Sequence, residues 1–126
     1  MASADAHAWV ATHESVVIGQ LDIYTIAAGE LGKYFQAGLH DAVIQYRIQQ
    51  SNHMHRDVLS LFMEYYFAKE KAGHLYAQAN IYDGSTCRLY ESAGFIFQQN
   101  CMLSSEAVSL YLMTRTRFSE EYRKGG

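Results

Sequence analysis

Several short stretches of this 126-residue chain carry side chains that invite chemistry. His53-Met54-His55 sets two imidazoles one residue apart. A zinc site needs further ligands, such as His40 or a carboxylate, brought up by folding. Neither the spacing nor the context specifies them, so no metal is expected. Cys87 offers a thiol, read as a small core residue rather than a nucleophile. Tyr65-Tyr66-Phe67 is an aromatic run on a helical pattern, read as core and interface packing and not as a platform for stacked bases. Arg115 and Arg117 alternate near the end of the last strand pattern and read as a solvated face. The stretch that stands out is Thr86-Cys87-Arg88-Leu89-Tyr90-Glu91-Ser92-Ala93-Gly94-Phe95-Ile96. It carries a phenol, Tyr90, and a phenol is neutral at pH 7 and holds a proton it can donate.

Holding such groups in place takes regular elements. Trp9 to Thr12 and Ser15 to Ile26 read as two strands joined by His13-Glu14, with Val16, Val17, Ile18, Leu21, Ile23 and Ile26 supplying the β-branched and apolar enrichment. Gly19 inside the second run predicts a bulge or a close backbone approach. Ala27 to Gly38 is glycine-punctuated and reads as loop or a single helical turn. Ala42 to Gln49 reads as a third strand, and Gln50 to His55 breaks its apolar pattern. From Arg56 to Ala72 the period becomes helical. Val58, Leu61, Phe62, Tyr65 and Ala68 form one stripe, widened by Leu59, Met63, Tyr66 and Phe67, which predicts a helix largely buried against a sheet. Lys69, Lys71 and Gly73 are its stop signals. Leu75 to Tyr82 is the next strand, with Leu75, Ala77, Ala79 and Ile81 on one face. Asp83-Gly84-Ser85 offers N-cap side chains to a short helix that carries Tyr90, and Gly94 stands just past its end, where positive φ favours glycine. Phe95 to Gln99 and Val108 to Thr116 read as an antiparallel pair. Ser119 to Gly126 is polar and reads as a frayed end.

Composition narrows the class. Hydrophobic residues make up 49% and charged residues 18% of the chain, as in an ordinary globular domain rather than a disordered segment. The net charge of −3 argues against a nucleic-acid partner, and no apolar run approaches a membrane span. The N-terminus lacks the basic start and apolar core of a secretion signal. Cys87 and Cys101 are too few for a disulfide framework and read as reduced thiols of a cytoplasmic protein.

The stretch from Thr86 to Ile96 resembles the A-x-x-L-Y-E-x-x-G-F signature of the GNAT superfamily of acyl-CoA-dependent N-acetyltransferases. The order of elements from about Val16 to Met113 is similar to the C-terminal two-thirds of its domain. The resemblance implies an α+β fold over residues 1–126 as one domain: a mixed, mostly antiparallel sheet with helices packed on it, lacking the family's first strand and helices. It implies acetyl-CoA as co-substrate. The strand Ala42–Gln49 would splay from Leu75–Tyr82, and the pantetheine arm would pair with backbone around Val43, Ile44 and Gln45, because a splayed pair leaves amide groups without partners. The pyrophosphate would sit at the start of the long helix, against Gln50, Ser51, Asn52, His53, Met54, His55 and Arg56. The family loop there reads R/Q-x-x-G-x-G/A, so His53 and His55 stand where small residues let phosphate approach. Their side chains would obstruct it or, protonated, compensate by charge. Asp83 stands where many members carry an asparagine; its expected work is capping. Tyr90 would be the general acid that protonates the leaving thiolate. Glu30 and Asp41 are the carboxylates to consider as base, but both read as solvated loop groups.

Two functions follow as expectations. One is transfer of an acetyl group from acetyl-CoA to an amine, which the sequence does not identify. The other is a catalytically inactive, dimeric module that keeps the fold. Homodimerisation is expected in either case, because the short front leaves a surface to cover and one patch serves both subunits of a twofold.

Overall fold

The computed structural model describes residues 6–26, 31, 41–50, 53–69 and 73–123. Six strands form one sheet: β1 (Ala6–His13), β2 (Val16–Thr25), β3 (Ala42–Ile48), β4 (His74–Asn80), β5 (Ile96–Met102) and β6 (Ala107–Thr114), in the order β1-β2-β3-β4-β6-β5. Every neighbouring pair is antiparallel except β3 and β4. The helices are α1 (His55–Lys69), α2 (Gly84–Ser92) and α3 (Arg115–Arg123). The expected α+β class is what the chain adopts.

The β1–β2 hairpin turns at Glu14 and Ser15, both with positive φ (51° and 67°), which matches a two-residue turn to the twist of its strands. Gly19 lies at a register shift: Ala11 faces Gly19 but Thr12 faces Val17, so Ile18 is the extra residue. It is also a close approach, because a Cβ there would come within 2.3 Å of the Tyr46 hydroxyl oxygen. Both readings of that glycine hold at once.

One sheet face carries Leu21, Ile44, Tyr46, Leu75, Ala77, Ala79, Tyr111 and Met113, and α1 and α2 bury Leu59, Met63, Tyr66, Phe67 and Tyr90 in the same cluster. The opposite face has a smaller cluster around Val43, Val108 and Leu110. The face of α1 turned to the sheet is His55, Leu59, Met63, Tyr66 and Phe67. This corrects the expected stripe: Val58 and Phe62 are half-buried at its margin, while Leu61, Tyr65 and Ala68 are exposed.

The C-terminal residues also differ from expectation. β6 stops at Thr114, and Arg115 to Arg123 is a helix rather than strand and frayed end. Arg115 and Arg117 are not a solvated face. Arg115 hydrogen-bonds the Phe67 carbonyl and lies over its ring, and Arg117 Nε donates to the Gly94 carbonyl at 2.7 Å. The Tyr122 hydroxyl donates to the Ala93 carbonyl at 2.6 Å. α3 therefore holds the C-terminal end of α2.

Candidate active site

The sheet opens between β3 and β4. Their parallel pairing runs from Ala42–Leu75 to Gln45–Gln78 and stops, although β3 continues through Ile48 against β2 and β4 through Asn80 against β6. Past Gln45 the two strands each keep an outer partner and lose the inner one. That is the expected V.

Tyr90 closes its apex. The side chain is fully buried. Its hydroxyl accepts from the Tyr46 N–H at 2.9 Å and donates to the Gln78 carbonyl at 2.8 Å, so one phenol joins the first groups that the diverging strands leave without each other. Burial pushes this phenol well above its ordinary range, with the Tyr46 N–H pulling the other way. It is a proton donor that does not ionise near neutrality.

α2 presents Tyr90 there because its ends are fixed. Asp83 is the N-cap: its carboxylate accepts from the Thr86 N–H at 3.1 Å and the Thr86 hydroxyl at 2.7 Å. Both oxygens are engaged in capping. At the other end Gly94 has φ 100°, and Phe95 N–H returns to the Tyr90 carbonyl at 3.0 Å. Glu91 accepts from the Tyr111 hydroxyl at 2.9 Å, tying the helix to β6. Burial and the neighbouring Cys87 and Glu91 raise the Tyr111 phenol as well.

The remaining expected residues fall into three groups. Val43, Ile44 and Gln45 lie in the zipped part of the ladder, so they are not where the strands part. Backbone groups alternate in direction along a strand. With Tyr46 N–H aimed at the opening, Ile48 shares its direction, and the backbone that faces the V is Tyr46 and Ile48. Sequence reasoning missed both, because where a parallel ladder ends is set by its neighbours. At the start of α1, His53 and Arg56 are exposed, Met54 is half-buried and His55 is buried. A cleft of about 420 Å³ opens there, lined by Ile48, His53, His55, Arg56, Ser85, Leu89 and Ser92. It joins the open end of β3 to the flank of α2. Ser51, Asn52, Glu30 and His40 lie outside the described residues. Asp41 is not a solvated loop group: it is buried and lies 3.6 Å from His74 Nδ1, at the zipped end of β3 and away from the V.

His55 lines the cleft, buried and engaged at both ring nitrogens. Its Nε2 lies 2.8 Å from the Gln50 carbonyl oxygen and its Nδ1 2.7 Å from the Tyr46 hydroxyl. A carbonyl only accepts, so Nε2 carries hydrogen; in the neutral ring Nδ1 then accepts from Tyr46. Among the described residues no group of three His, Cys, Asp or Glu side chains comes together as metal ligands. Cys87 and Cys101 are free thiols.

No protein-family model matches the chain, and no curated protein matches it by sequence. Solved structures do match. The aminoglycoside acetyltransferase AAC(6')-Ib, in complex with coenzyme A and kanamycin, superposes with a TM-score of 0.80 over 94% of this chain and 72% of its own, at 16% identity. An uncharacterised protein from Bacillus halodurans gives 0.87 over 97% of this chain and 65% of its own, at 13% identity. A spermidine N-acetyltransferase from Vibrio cholerae gives 0.69 over 98% and 72%, at 15% identity.

The chain has the GNAT acetyltransferase fold. At these identities the likeness concerns the fold.

Proposed function

We propose that this chain transfers an acetyl group from acetyl-CoA to an amine. The observation that carries the reading is the parting of β3 and β4 after Gln45 and Gln78, with the Tyr90 hydroxyl 2.9 Å from the Tyr46 N–H at the point where they part. The residues present suit such a co-substrate. Ile48, past the end of the ladder, offers backbone amide groups for a pantetheine arm, and the cleft at the start of α1 offers Arg56, His53, Ser85 and Ser92 for its phosphates. Gln50 and Met54 flank that helix start, and Asp83 orients α2 from its cap. The GNAT-fold neighbours that carry coenzyme A support the same assignment.

Acetyl-CoA supplies an activated carbonyl. The amine nitrogen forms a bond to that carbon, the carbon–sulfur bond breaks, and sulfur leaves as thiolate. Tyr90 gives its proton to the thiolate and is reprotonated from solvent, which takes the proton released by the amine. Burial keeps the phenol protonated throughout the neutral range and at the same time makes it a weaker acid than a free tyrosine. Amines are the acceptors of two matched structures by name, an aminoglycoside and spermidine, and the acceptor proposed here goes no further than the amine.

A panel of amines assayed for release of free coenzyme A thiol tests this reading. One amine should release thiol in step with loss of acetyl-CoA, and Tyr90→Phe should abolish most of the rate. A dimeric module without activity is the second reading. It draws on an apolar patch of Trp9, Val10, Leu61 and Tyr65, all substantially exposed. It predicts a dimer in sedimentation that binds no acetyl-CoA.

A further inference from the structure

The start of α1 is held by a connected set of hydrogen bonds that acetyl transfer itself does not require. The Ile18 carbonyl accepts from both Gln49 N–H, at 2.9 Å, and Gln50 N–H, at 3.1 Å. The Gln50 carbonyl takes His55 Nε2–H at 2.8 Å, and the other ring nitrogen takes the Tyr46 hydroxyl at 2.7 Å. The two rings meet edge to face, 5.4 Å between centroids. Gly19 is what makes room: its missing Cβ would overlap the Tyr46 hydroxyl. Six residues, on β2, β3, the two positions after it and α1, thus fix how far the end of β3 stands from the first turn of the helix.

We infer that His55 and Tyr46 are positioning residues for the phosphate end of the cofactor cleft. The inference rests on the cofactor reading above. A glycine at position 55 would let phosphate approach by being small. Here the imidazole is held by bonds at both ring nitrogens on the wall of the cleft it helps to line, and does a second job. It ties the Gln50 carbonyl to the helix start and turns that oxygen away from a bound anion, which a free carbonyl would repel. The cleft beside it keeps His53, Arg56, Ser85 and Ser92 on its wall. Tyr46 also connects the two ends of the site, since its hydroxyl serves the helix start while its N–H meets Tyr90. Because one residue is shared, a change in its ring is felt at the phosphate end and leaves the backbone N–H at the thioester end in place.

That separation gives the test. Binding of coenzyme A and of pantetheine, which lacks the nucleotide and its phosphates, is measured by calorimetry for the unsubstituted protein, Tyr46→Phe and His55→Ala. Tyr46→Phe keeps the ring and the N–H and removes only the hydroxyl. The brace predicts a loss of about tenfold or more in affinity for coenzyme A with pantetheine unchanged within about twofold, as expected for one or two lost hydrogen bonds near charge. Equal losses for both ligands, or no loss for either, would overturn it. If His55→Ala fails to fold, Tyr46→Phe alone decides. An unsubstituted protein that binds neither ligand would overturn the cofactor reading itself, and the brace with it.

Discussion

Tyr90 serves two purposes that pull on the same hydroxyl. It is the proton donor proposed for the leaving thiolate, and it holds together the strands that form the site. Tyr90→Phe therefore removes an acid and leaves the Tyr46 N–H and the Gln78 carbonyl without that partner. We expect turnover to fall by about 10²-fold or more, the scale of general acid catalysis, with affinity for acetyl-CoA changed little. Stability should fall by about 1–3 kcal/mol for the orphaned buried groups. Steady-state kinetics beside a denaturant titration separates the two effects. Turnover equal to that of the unsubstituted protein would remove Tyr90 from the mechanism. Little of the bridge was legible beforehand. The signature around Tyr90 marks the residue, but its partners Tyr46 and Gln78 are 44 and 12 positions away in the chain, and no local pattern announces them.

At the scale of elements, α2 was the most legible part of the molecule. Its cap at Asp83, its apolar residues and its terminal Gly94 are local signals that agree with one another. α1 was legible as a helix, but its buried face was not. Val58, Leu59, Leu61, Phe62, Met63, Tyr65, Tyr66 and Phe67 place apolar groups nearly all round it, so periodicity does not choose a side. The sheet chooses, through His55, Leu59, Met63, Tyr66 and Phe67. α3 was missed because Phe118 and Tyr122 are the only apolar members of a polar run, and an isolated helix this short is unstable in water. Tertiary hooks make it: Arg115 to Phe67, Arg117 to Gly94 and Tyr122 to Ala93. Tyr122→Phe should cost about 1 kcal/mol and lower Tm by roughly 4 °C, while hydrogen exchange speeds up in α3 and at the end of α2. Unchanged exchange at Ala93 and Gly94 would show that α3 does not hold that end.

Across the whole molecule, three buried phenols set a limit in alkali. Burial raises Tyr46 to about 12 and lifts Tyr90 and Tyr111 further. In the unfolded chain each titrates near its ordinary value of about 10. Above that pH the unfolded chain binds fewer protons than the folded one, so stability falls as pH rises from about 10 through 12, by up to about 1.4 kcal/mol per pH unit for each phenol. Below about pH 10 their contribution is complete. Thermal melts between pH 8 and 11.5 should show this decline, and Tyr90→Phe should make it shallower. A flat profile would mean that these phenols are not buried as described. The apex of the V is thus part of the core: Tyr90, which bridges β3 and β4, is one of these phenols.

The most direct measurement is a calorimetric titration of the protein with acetyl-CoA. A V that parts after Gln45 and Gln78 predicts a saturable heat with a Kd below about 1 mM and a matching rise in Tm at excess ligand. No heat and no thermal shift at millimolar acetyl-CoA would contradict the account.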